Sequence, residues 1–227
     1  MSISRDFDAV LFDLDGTLVD TAPDLVAVLQ AILTDEGREP IEYPLARSHV
    51  SHGSAGLIRL GFPDASSEEF ERLRLDFLDR YQQAVCVDSQ LFPELDALLG
   101  RLDSAGLPWG VVTNKPGRMT APLMESLDLH DRAACTISGD TIAERKPHPA
   151  PLYLACDQIG IEAQRSIYIG DAERDIEAGR TAGMYTVAVT YGYIPADEDP
   201  YSWNAHRVVE DPKELSHLVL KGVNLSA

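Results

Sequence analysis

Residues 9–17 read AVLFDLDGT, an apolar run followed by two aspartates, a glycine and a threonine. A short apolar run that ends abruptly in a charge is typical of a strand buried in a parallel sheet. Asp13 and Asp15 would follow this strand, and residues two apart in extended backbone project to the same side. Ligands bind at the carboxyl ends of strands in open α/β sheets, and close carboxylate pairs usually serve a cation or share a proton. The stretch therefore predicts a site at the end of the first strand.

Similar apolar runs recur along the chain and alternate with segments of helical periodicity. The runs predict strands at residues 109–112, 134–137, 167–169, 186–189 and 208–209. Apolar positions at helical spacing predict helices over residues 95–102, 116–127, 150–158 and 173–182, and a final helix in the tail. Strands that alternate with helices are typical of an α/β fold with a parallel sheet.

The connection between the first strand and the strand at 109–112 is far longer than a βαβ unit, which takes about thirty residues. Two apolar stripes at helical spacing lie within it, from Leu25 to Leu33 and from Phe70 to Tyr81. The segment Thr21–Asp24 would cap the first of these helices, with a proline in its first turn. We therefore predict a helical cap subdomain at 20–86, inserted into a core domain of residues 1–19 and 87–227.

The charge balance of the chain is strongly acidic. Its 227 residues include 19 Lys and Arg against 37 Asp and Glu, for a formal net charge of −18 at pH 7. Such a surface repels nucleic acid and anionic lipid, so we expect neither as a partner. It would also repel a phosphorylated substrate unless a cation sits in the site.

Nothing in the sequence is typical of a membrane or secreted protein. No apolar run approaches the roughly 18 residues of a transmembrane helix, and residues 1–8 show no basic segment followed by an apolar stretch. The cysteines Cys86, Cys135 and Cys156 are odd in number and widely spaced, which favours reduced, mostly buried thiols. We expect a cytoplasmic protein that is a monomer or a homodimer.

Further polar residues lie where predicted elements end. Thr113 and Asn114 follow the strand at 109–112, and Lys146 opens a loop that neighbouring prolines stiffen. Hard oxygen ligands of the kind that Mg²⁺ prefers are offered by Asp13, Asp15 and Asp171. Hydrogen-bond donors and positive charge for a phosphoryl group are offered by Thr113, Asn114 and Lys146. Together they predict one site for Mg²⁺ and a small phosphorylated metabolite.

These residues also carry a resemblance to a known family. The chain resembles the haloacid dehalogenase superfamily through DLDGT at 13–17, VTN at 112–114, KP at 146–147, and GD at 170–171 with Asp175. It looks like the helical-cap branch that contains the phosphoglycolate phosphatases, and the similarity spans nearly the whole chain. The resemblance implies a Rossmann-like parallel-sheet core with an inserted helical cap, and the activity of a Mg²⁺-dependent phosphatase.

The resemblance implies a role for each matching carboxylate. Asp13 would attack phosphorus and become an aspartyl phosphate. Asp15 would protonate the leaving alcohol and then activate the water that hydrolyses this intermediate. Mg²⁺ would be held by Asp13, the backbone carbonyl of Asp15 and Asp171, with Asp175 supporting this set.

The remaining candidates would hold the substrate. Thr113 and Lys146 would bind the transferring phosphoryl oxygens and stabilise the charge that develops there, with Asn114 as a further donor. The cap would contact the organic part of the substrate, and its polar candidates are Arg47 and His52. Arg47 would meet a substrate carboxylate.

Two substrates are compatible with the resemblance. Residues 109–116, 174–177 and 191–194 look like the N-acetylmuramic acid 6-phosphate phosphatases of cell-wall recycling. Residues 138–140 and 146–149 are closer to phosphoglycolate phosphatases. N-acetylmuramic acid 6-phosphate is therefore the preferred prediction, and 2-phosphoglycolate is the alternative.

Three other activities are less favoured by the residues. A sugar phosphomutase would use the same fold, and a requirement for a bisphosphate activator would reveal it. A dehalogenase is disfavoured because residues 15–17 supply the acid and turn that a phosphate-directed site uses. A catalytically inactive binding module is disfavoured because every catalytic position is filled.

Overall fold

Residues 7–225 are described by a computed structural model. In chain order the strands are β1 (Ala9–Phe12), β2 (Val19–Asp20), β3 (Gln90–Leu91), β4 (Trp109–Val112), β5 (Cys135–Ile137), β6 (Ser166–Gly170), β7 (Tyr185–Val189) and β8 (Arg207–Val209). The helices are α1 (Ala22–Asp35), α2 (Tyr43–Ser48), α3 (Gly53–Gly61), α4 (Ser67–Gln83), α5 (Leu95–Ser104), α6 (Gly117–Ser126), α7 (Ala150–Ile159), α8 (Glu173–Thr181) and α9 (Pro212–Gly222). The predicted strands are confirmed, with bounds that differ by one residue at most. The predicted core domain also includes residues 1–6 and 226–227, which lie outside the described residues.

The strand order places the predicted site at the centre of the sheet. The order is β5-β4-β1-β6-β7-β8, and all neighbouring strands are parallel. From β1 the chain builds outward through β4 and β5, and then returns to the other side of β1 with β6. The winding reverses at β1, and such a switch point opens a crevice at the carboxyl ends of the strands. Asp13, Thr113 and Asp171 directly follow the three strands that border this crevice.

Helices cover both faces of the sheet, which explains the uninterrupted apolar runs. Val10 and Phe12 pack in one apolar cluster with residues of α5 and α9. Leu11 points to the opposite face and packs with residues of α7 and α8. Because side chains alternate along a strand, a strand covered on both sides is apolar at every position. The predicted α/β fold with a parallel sheet is confirmed.

The helices α1 to α4 form a helical segment with an apolar cluster of its own. Leu29, Leu33 and Phe77 are buried in it, at positions of the two predicted stripes. Met119 and Tyr193 lie outside this segment and join its cluster, so they connect it to the sheet. The helical content predicted for the long connection is confirmed, whereas the subdomain boundaries at residues 20 and 86 stay a prediction.

The chain passes between the sheet and the helical segment through β2 and β3, which pair antiparallel. Asp24 reinforces this junction, since its carboxylate accepts hydrogen bonds from the backbone N–H groups of residues 87–89 and from the Ser89 hydroxyl. Thr21 precedes α1, but its hydroxyl donates to Asp15 Oδ1 at 2.6 Å and caps no helical N–H. The predicted capping role is wrong because partners from elsewhere in the fold compete for these polar groups.

Over residues 7–225, no helix has both the length and the apolar character needed to cross a membrane. The thiols of Cys135 and Cys156 are buried and that of Cys86 is partly exposed, and none of the three forms a disulfide. Burial raises the pKa of the Cys135 thiol to about 12. This cysteine is therefore a packing residue at neutral pH.

Candidate active site

Three carboxylates meet at the carboxyl edge of the sheet. Asp13 follows β1, Asp171 follows β6 and Asp175 lies in the first turn of α8, and all three are buried. One oxygen of each carboxylate lies within 4.8 Å of the other two. Backbone N–H groups orient them: Leu14 donates to Asp13 and Tyr193 donates to Asp171, both at 2.7 Å. The structure thus brings together three of the four predicted metal-binding aspartates, which we call the acidic cluster.

Lys146 lies within the acidic cluster, and its side chain has no exposed surface. Its Nζ is 2.9 Å from Asp13 Oδ1 and 2.8 Å from Asp175 Oδ1. The same ammonium donates to the carbonyl of Val112 and the hydroxyl of Tyr168, both at 2.8 Å. A buried ammonium with this many partners is fixed in position, so Lys146 presents a stationary positive charge beside Asp13.

The side chain of Asn114, which lines the cavity over the acidic cluster, bonds the backbone of Lys146. Its amide donates to the carbonyl of Lys146 at 2.9 Å, and its Oδ1 accepts the Lys146 N–H at 3.1 Å. Asn114 therefore holds the backbone that carries Lys146. Thr113 is buried, and its hydroxyl oxygen accepts the N–H of Lys115 at 3.1 Å. This leaves the O–H of Thr113 as a donor toward a ligand.

The fourth predicted metal ligand, Asp15, was expected to use its backbone carbonyl, and its carboxylate is not part of the acidic cluster. Its Oδ1 accepts hydrogen bonds from Lys115 Nζ at 2.9 Å and from the Thr21 hydroxyl at 2.6 Å. Lys115 also donates to the hydroxyl of Tyr81 at 2.8 Å. Burial alone would lower the pKa of Lys115, but the Asp15 carboxylate and the Tyr81 hydroxyl outweigh it and raise this pKa. Lys115 is therefore charged at neutral pH.

Neither Lys115 nor Tyr81 was predicted from the sequence as a site residue. Lys115 lies two residues after Thr113, at the same strand end, and this spacing is the signal that could have identified it. Tyr81 occupies an apolar stripe, which predicts a packing residue. The structure buries its ring and leaves 1% of the residue exposed, yet its hydroxyl reaches Lys115. A buried tyrosine hydroxyl usually finds a polar partner, so packing and a polar role coexist here.

Gly16 is required by the close approach of β1 and β6 at the site. Its φ of +81° lies in the left-handed region, which glycine adopts without strain. A Cβ at this position would collide with the carboxylate of Asp171 and would come within 2.9 Å of the Tyr193 ring. The predicted tight turn is therefore present, and it also leaves room for the acidic cluster.

A cavity of about 430 Å³ lies over these carboxylates, between the sheet edge and the helical segment. The sheet edge contributes Asp13, Asp15 and Thr113 to its lining, and the helical segment contributes apolar residues such as Val50 and Phe77. The cavity is also lined by four cationic side chains: Arg74, Lys115, Arg145 and Arg174. Although the whole chain is acidic, these side chains give the cavity the positive charge that an anionic ligand requires.

Arg47 and His52, the two residues of the helical segment that were predicted to bind substrate, occupy different positions. His52 lines the cavity. Arg47 lies elsewhere: its Nη1 donates to the carbonyl of Gly192 at 2.9 Å, and Asp20 is 3.6 Å from its Nη2. The guanidinium also stacks 4.8 Å from the centroid of the Tyr193 ring. Arg47 thus ties the helical segment to the loop after β7, because partners within the chain already satisfy its charge.

The charge balance of the acidic cluster fits a bound hard cation. Burial and the neighbouring Asp13 and Asp175 raise the pKa of Asp171 to about 7. Lys146 contributes one positive charge to three carboxylates, so the ionised cluster carries excess negative charge. Mg²⁺ prefers oxygen ligands of this kind and leaves places for water and substrate. The residues present therefore fit the predicted metal.

We expect the raised pKa of Asp171 to make the metal-free protein less stable as pH rises from about 4 to about 7. In this window the unfolded chain has lost the proton that the folded chain keeps on Asp171, so linkage lowers the free energy of unfolding, by up to about 4 kcal/mol. Asp171→Asn removes the titration. Urea unfolding in EDTA should show the variant gaining stability over the wild type through this window, with a constant difference above pH 7. A difference in unfolding free energy between variant and wild type that does not vary with pH would contradict the raised pKa of Asp171.

The fold and the site define a class: an α/β protein with Asp13 and Asp15 after β1, a buried lysine, and Asp171 and Asp175 after β6, all at one edge of a parallel sheet. Residues 10–189 match the family model of the haloacid dehalogenase-like hydrolases, so the chain belongs to this family. Within the family it is a phosphatase, a phosphoric monoester hydrolase, in agreement with the names of relatives at 43–45% identity. The resemblance carried by the four motifs is therefore confirmed.

Two kinds of relative are similarly close to this chain. It is 45% identical over 207 residues to a phosphoglycolate phosphatase of Xanthomonas campestris, covering 91% of this chain and 94% of that one. It is 45% identical over 208 residues to an N-acetylmuramic acid 6-phosphate phosphatase of Pseudomonas aeruginosa, covering 91% and 92%. Among solved structures, a predicted phosphoglycolate phosphatase from Haemophilus somnus matches with a TM-score of 0.83 at 26% identity, over 95% of this chain and 98% of that one.

Proposed function

We propose that this phosphatase hydrolyses N-acetylmuramic acid 6-phosphate with the help of Mg²⁺, through a phosphorylated aspartate. The observation that carries this chemistry is the environment of Asp13. Lys146 lies 2.9 Å from one of its oxygens, and Asp171 and Asp175 complete a cluster that fits a cation beside it. A carboxylate bordered by positive charge can approach an anionic phosphate that would otherwise repel it.

Asp13 is the nucleophile in this proposal. One of its oxygens forms a bond to phosphorus while the bond between phosphorus and the C6 oxygen of the sugar breaks, so the phosphoryl group passes to Asp13. The N–H of Leu14 and the ammonium of Lys146 both contact Oδ1 of Asp13. These two contacts fix the position of this oxygen, which supports attack from a defined geometry.

Asp15 transfers the protons. It enters the cycle protonated, gives this proton to the leaving oxygen and then takes one from the water that attacks the aspartyl phosphate, which regenerates Asp13, releases phosphate and restores the protonated Asp15. Lys115 and Thr21 both bond Oδ1 of Asp15, so its carboxyl group has a defined orientation at the cavity wall.

The charge of the transferring phosphoryl group is spread over three oxygens. Thr113 lines the cavity and offers its O–H to one of them, and Lys146 provides a fixed positive charge from behind Asp13. Mg²⁺, when bound by Asp13, Asp171 and the backbone carbonyl of Asp15, would neutralise phosphoryl charge. Asp175 supports this arrangement through its ion pair with Lys146.

The cavity and the relatives support the sugar as the substrate. A volume of about 430 Å³ is larger than a two-carbon acid needs and falls in the range of sites for small organic ligands. Apolar side chains of the helical segment, such as Val50, Phe77 and Leu78, line it and suit the methyl groups of the acetamido and lactyl substituents. The relatives from Pseudomonas aeruginosa and Pseudomonas putida, at 45% and 43% identity, carry this activity in their names.

Phosphoglycolate is the alternative substrate, because the relative from Xanthomonas campestris with that activity in its name is equally similar. We expect kcat/KM with Mg²⁺ to be at least about a hundredfold higher for N-acetylmuramic acid 6-phosphate than for 2-phosphoglycolate, measured side by side on one preparation. The opposite preference would assign the alternative. Slow turnover of both would exclude both substrates and leave the proposed chemistry intact. The assay contains no bisphosphate, so turnover under these conditions excludes a phosphomutase.

A further inference from the structure

We propose that Arg174 binds the carboxylate of the substrate and thereby determines which phosphate esters are accepted. This inference rests on the proposed function, because both candidate substrates carry a carboxylate in addition to the phosphate. Arg47 was predicted for this task, but its guanidinium is held by Gly192 and Asp20. A substrate carboxylate would therefore have to be bound by another cation of the cavity.

Arg174 spans the space between the sheet edge and the helical segment. It is the second residue of α8, directly before Asp175, and is half-buried. Its Nη2 donates to the hydroxyl of Ser51 at 3.2 Å. Ser51 belongs to a short 3₁₀ turn, Val50–His52, that precedes α3, and it lines the cavity together with Arg174. The guanidinium thus lies on the side of the cavity that faces the organic part of the substrate.

The other cations that line the cavity are either paired or exposed. Lys115 pairs with the carboxylate of the proposed general acid. Arg74 bonds both carboxylate oxygens of Glu71, and Arg145 is exposed on the loop that leads to Lys146. Within residues 7–225, Arg174 has no carboxylate within 4 Å, and its hydrogen-bond partner is neutral. The acidic cluster acts on its charge only from beyond 4 Å, so its guanidinium keeps donors that a ligand can engage directly.

The chemistry of a guanidinium suits this task. It carries five N–H donors in a planar fork, and the contact with Ser51 occupies one of them. The remaining donors can bond both oxygens of a carboxylate at once, an arrangement that lysine cannot reproduce. The phosphate end of the substrate lies against Asp13 and Thr113, so the second anionic group is the one that meets Arg174.

Matched substrates test this assignment directly. N-acetylglucosamine 6-phosphate lacks the lactyl carboxylate of N-acetylmuramic acid 6-phosphate, and ethyl phosphate lacks the carboxylate of 2-phosphoglycolate. We expect Arg174→Gln to lower kcat/KM about 100-fold for the substrate with the carboxylate, mainly through KM, because a hydrogen-bonded ion contact is lost. For the matched ester without it, the change should stay within about threefold. Arg174→Lys should recover part of the loss, since it keeps the charge without the fork.

Arg180→Gln is the control, because Arg180 lies on the same helix and is exposed, and it bonds the carbonyl of Asn204 outside the cavity. It should leave both esters unaffected, and a thermal melt of each variant reports on folding. Equal losses on both members of a pair would show that Arg174 acts on the phosphoryl group or on the fold, and would overturn the proposal. So would wild-type enzyme that turns over both members equally well.

The same experiment tests the proposed substrate and the role of Arg174 separately. Which acid the wild type prefers decides the proposed substrate. The ratio between each acid and its matched ester, and the change of that ratio in Arg174→Gln, decides the role of Arg174. If the wild type prefers 2-phosphoglycolate, the proposed substrate fails, while the pair with ethyl phosphate still tests the carboxylate contact.

Discussion

Asp13→Asn is expected to lower kcat by about 10⁴-fold or more, which corresponds to roughly 5.5 kcal/mol of activation free energy. A neutral amide oxygen is a poor nucleophile toward phosphorus and cannot form the acyl phosphate on which the proposed mechanism depends. The substitution keeps the shape of the side chain, and an amide oxygen can still accept from Leu14 and Lys146. Loss of the charge at this position also relieves repulsion of Asp171, so the metal-free variant should not lose stability at pH 8.

The measurement is kcat in saturating Mg²⁺ and substrate, with acid quenching to look for protein-bound phosphate. The wild type should accumulate or pass through a phosphorylated form, and the variant should show none. Asp64→Asn is a matched control, because Asp64 is exposed, and its activity should equal that of the wild type. Residual activity of Asp13→Asn within about tenfold of the wild type would show that Asp13 is not the nucleophile.

Lys146→Met is expected to reduce both stability and activity. Loss of the ammonium leaves Asp13 and Asp175 buried without their shared cation, and removal of one partner of a buried ion pair typically costs about 3–5 kcal/mol. Val112 and Tyr168 also lose a hydrogen bond each. Activity should fall about 10²–10³-fold, the range for loss of one preorganised charge contact at a reacting group.

Urea unfolding in EDTA at pH 8 measures the first effect, and kcat with Mg²⁺ measures the second. Lys221→Met removes an exposed lysine from α9 and should change neither quantity. If Lys146→Met lowers the free energy of unfolding by less than about 1 kcal/mol, the lysine compensates little of the carboxylate charge in the folded protein. Stability of this variant should also recover when a divalent cation is added, since the metal would replace part of the missing positive charge.

Elements whose residues are adjacent in the chain were predicted well from the sequence. β1 is apolar at every position because helices cover both of its faces, and this pattern can be read without knowing which helices they are. Asp13, Thr113 and Asp171 were predicted to meet because each follows a parallel strand, and the carboxyl ends of such strands share one edge. The close approach of their side chains follows from the strand order.

Contacts between the sheet and the helical segment were not predictable in the same way. Tyr81 was read as a packing residue, and Lys115 received no role, yet they contact each other across this boundary. Arg47 was expected to meet substrate, and it contacts the loop after β7 instead. Arg174 faces Ser51 of the helical segment. Each of these pairs depends on how the segment packs on the sheet, which no local pattern encodes.

The sequence by itself determined the parallel α/β fold, the helical character of the long connection, the aspartates at the strand ends and the lysine in the loop before α7. Backbone geometry and hydrophobic periodicity act over a few residues, so short segments are sufficient to specify them. Only the tertiary structure decided which charged side chains are already paired and which remain available to a ligand. Ion pairs form between atoms a few ångströms apart whatever their separation in the chain, as Lys115 and Asp15 show, so the packing of the whole molecule assigns the partners.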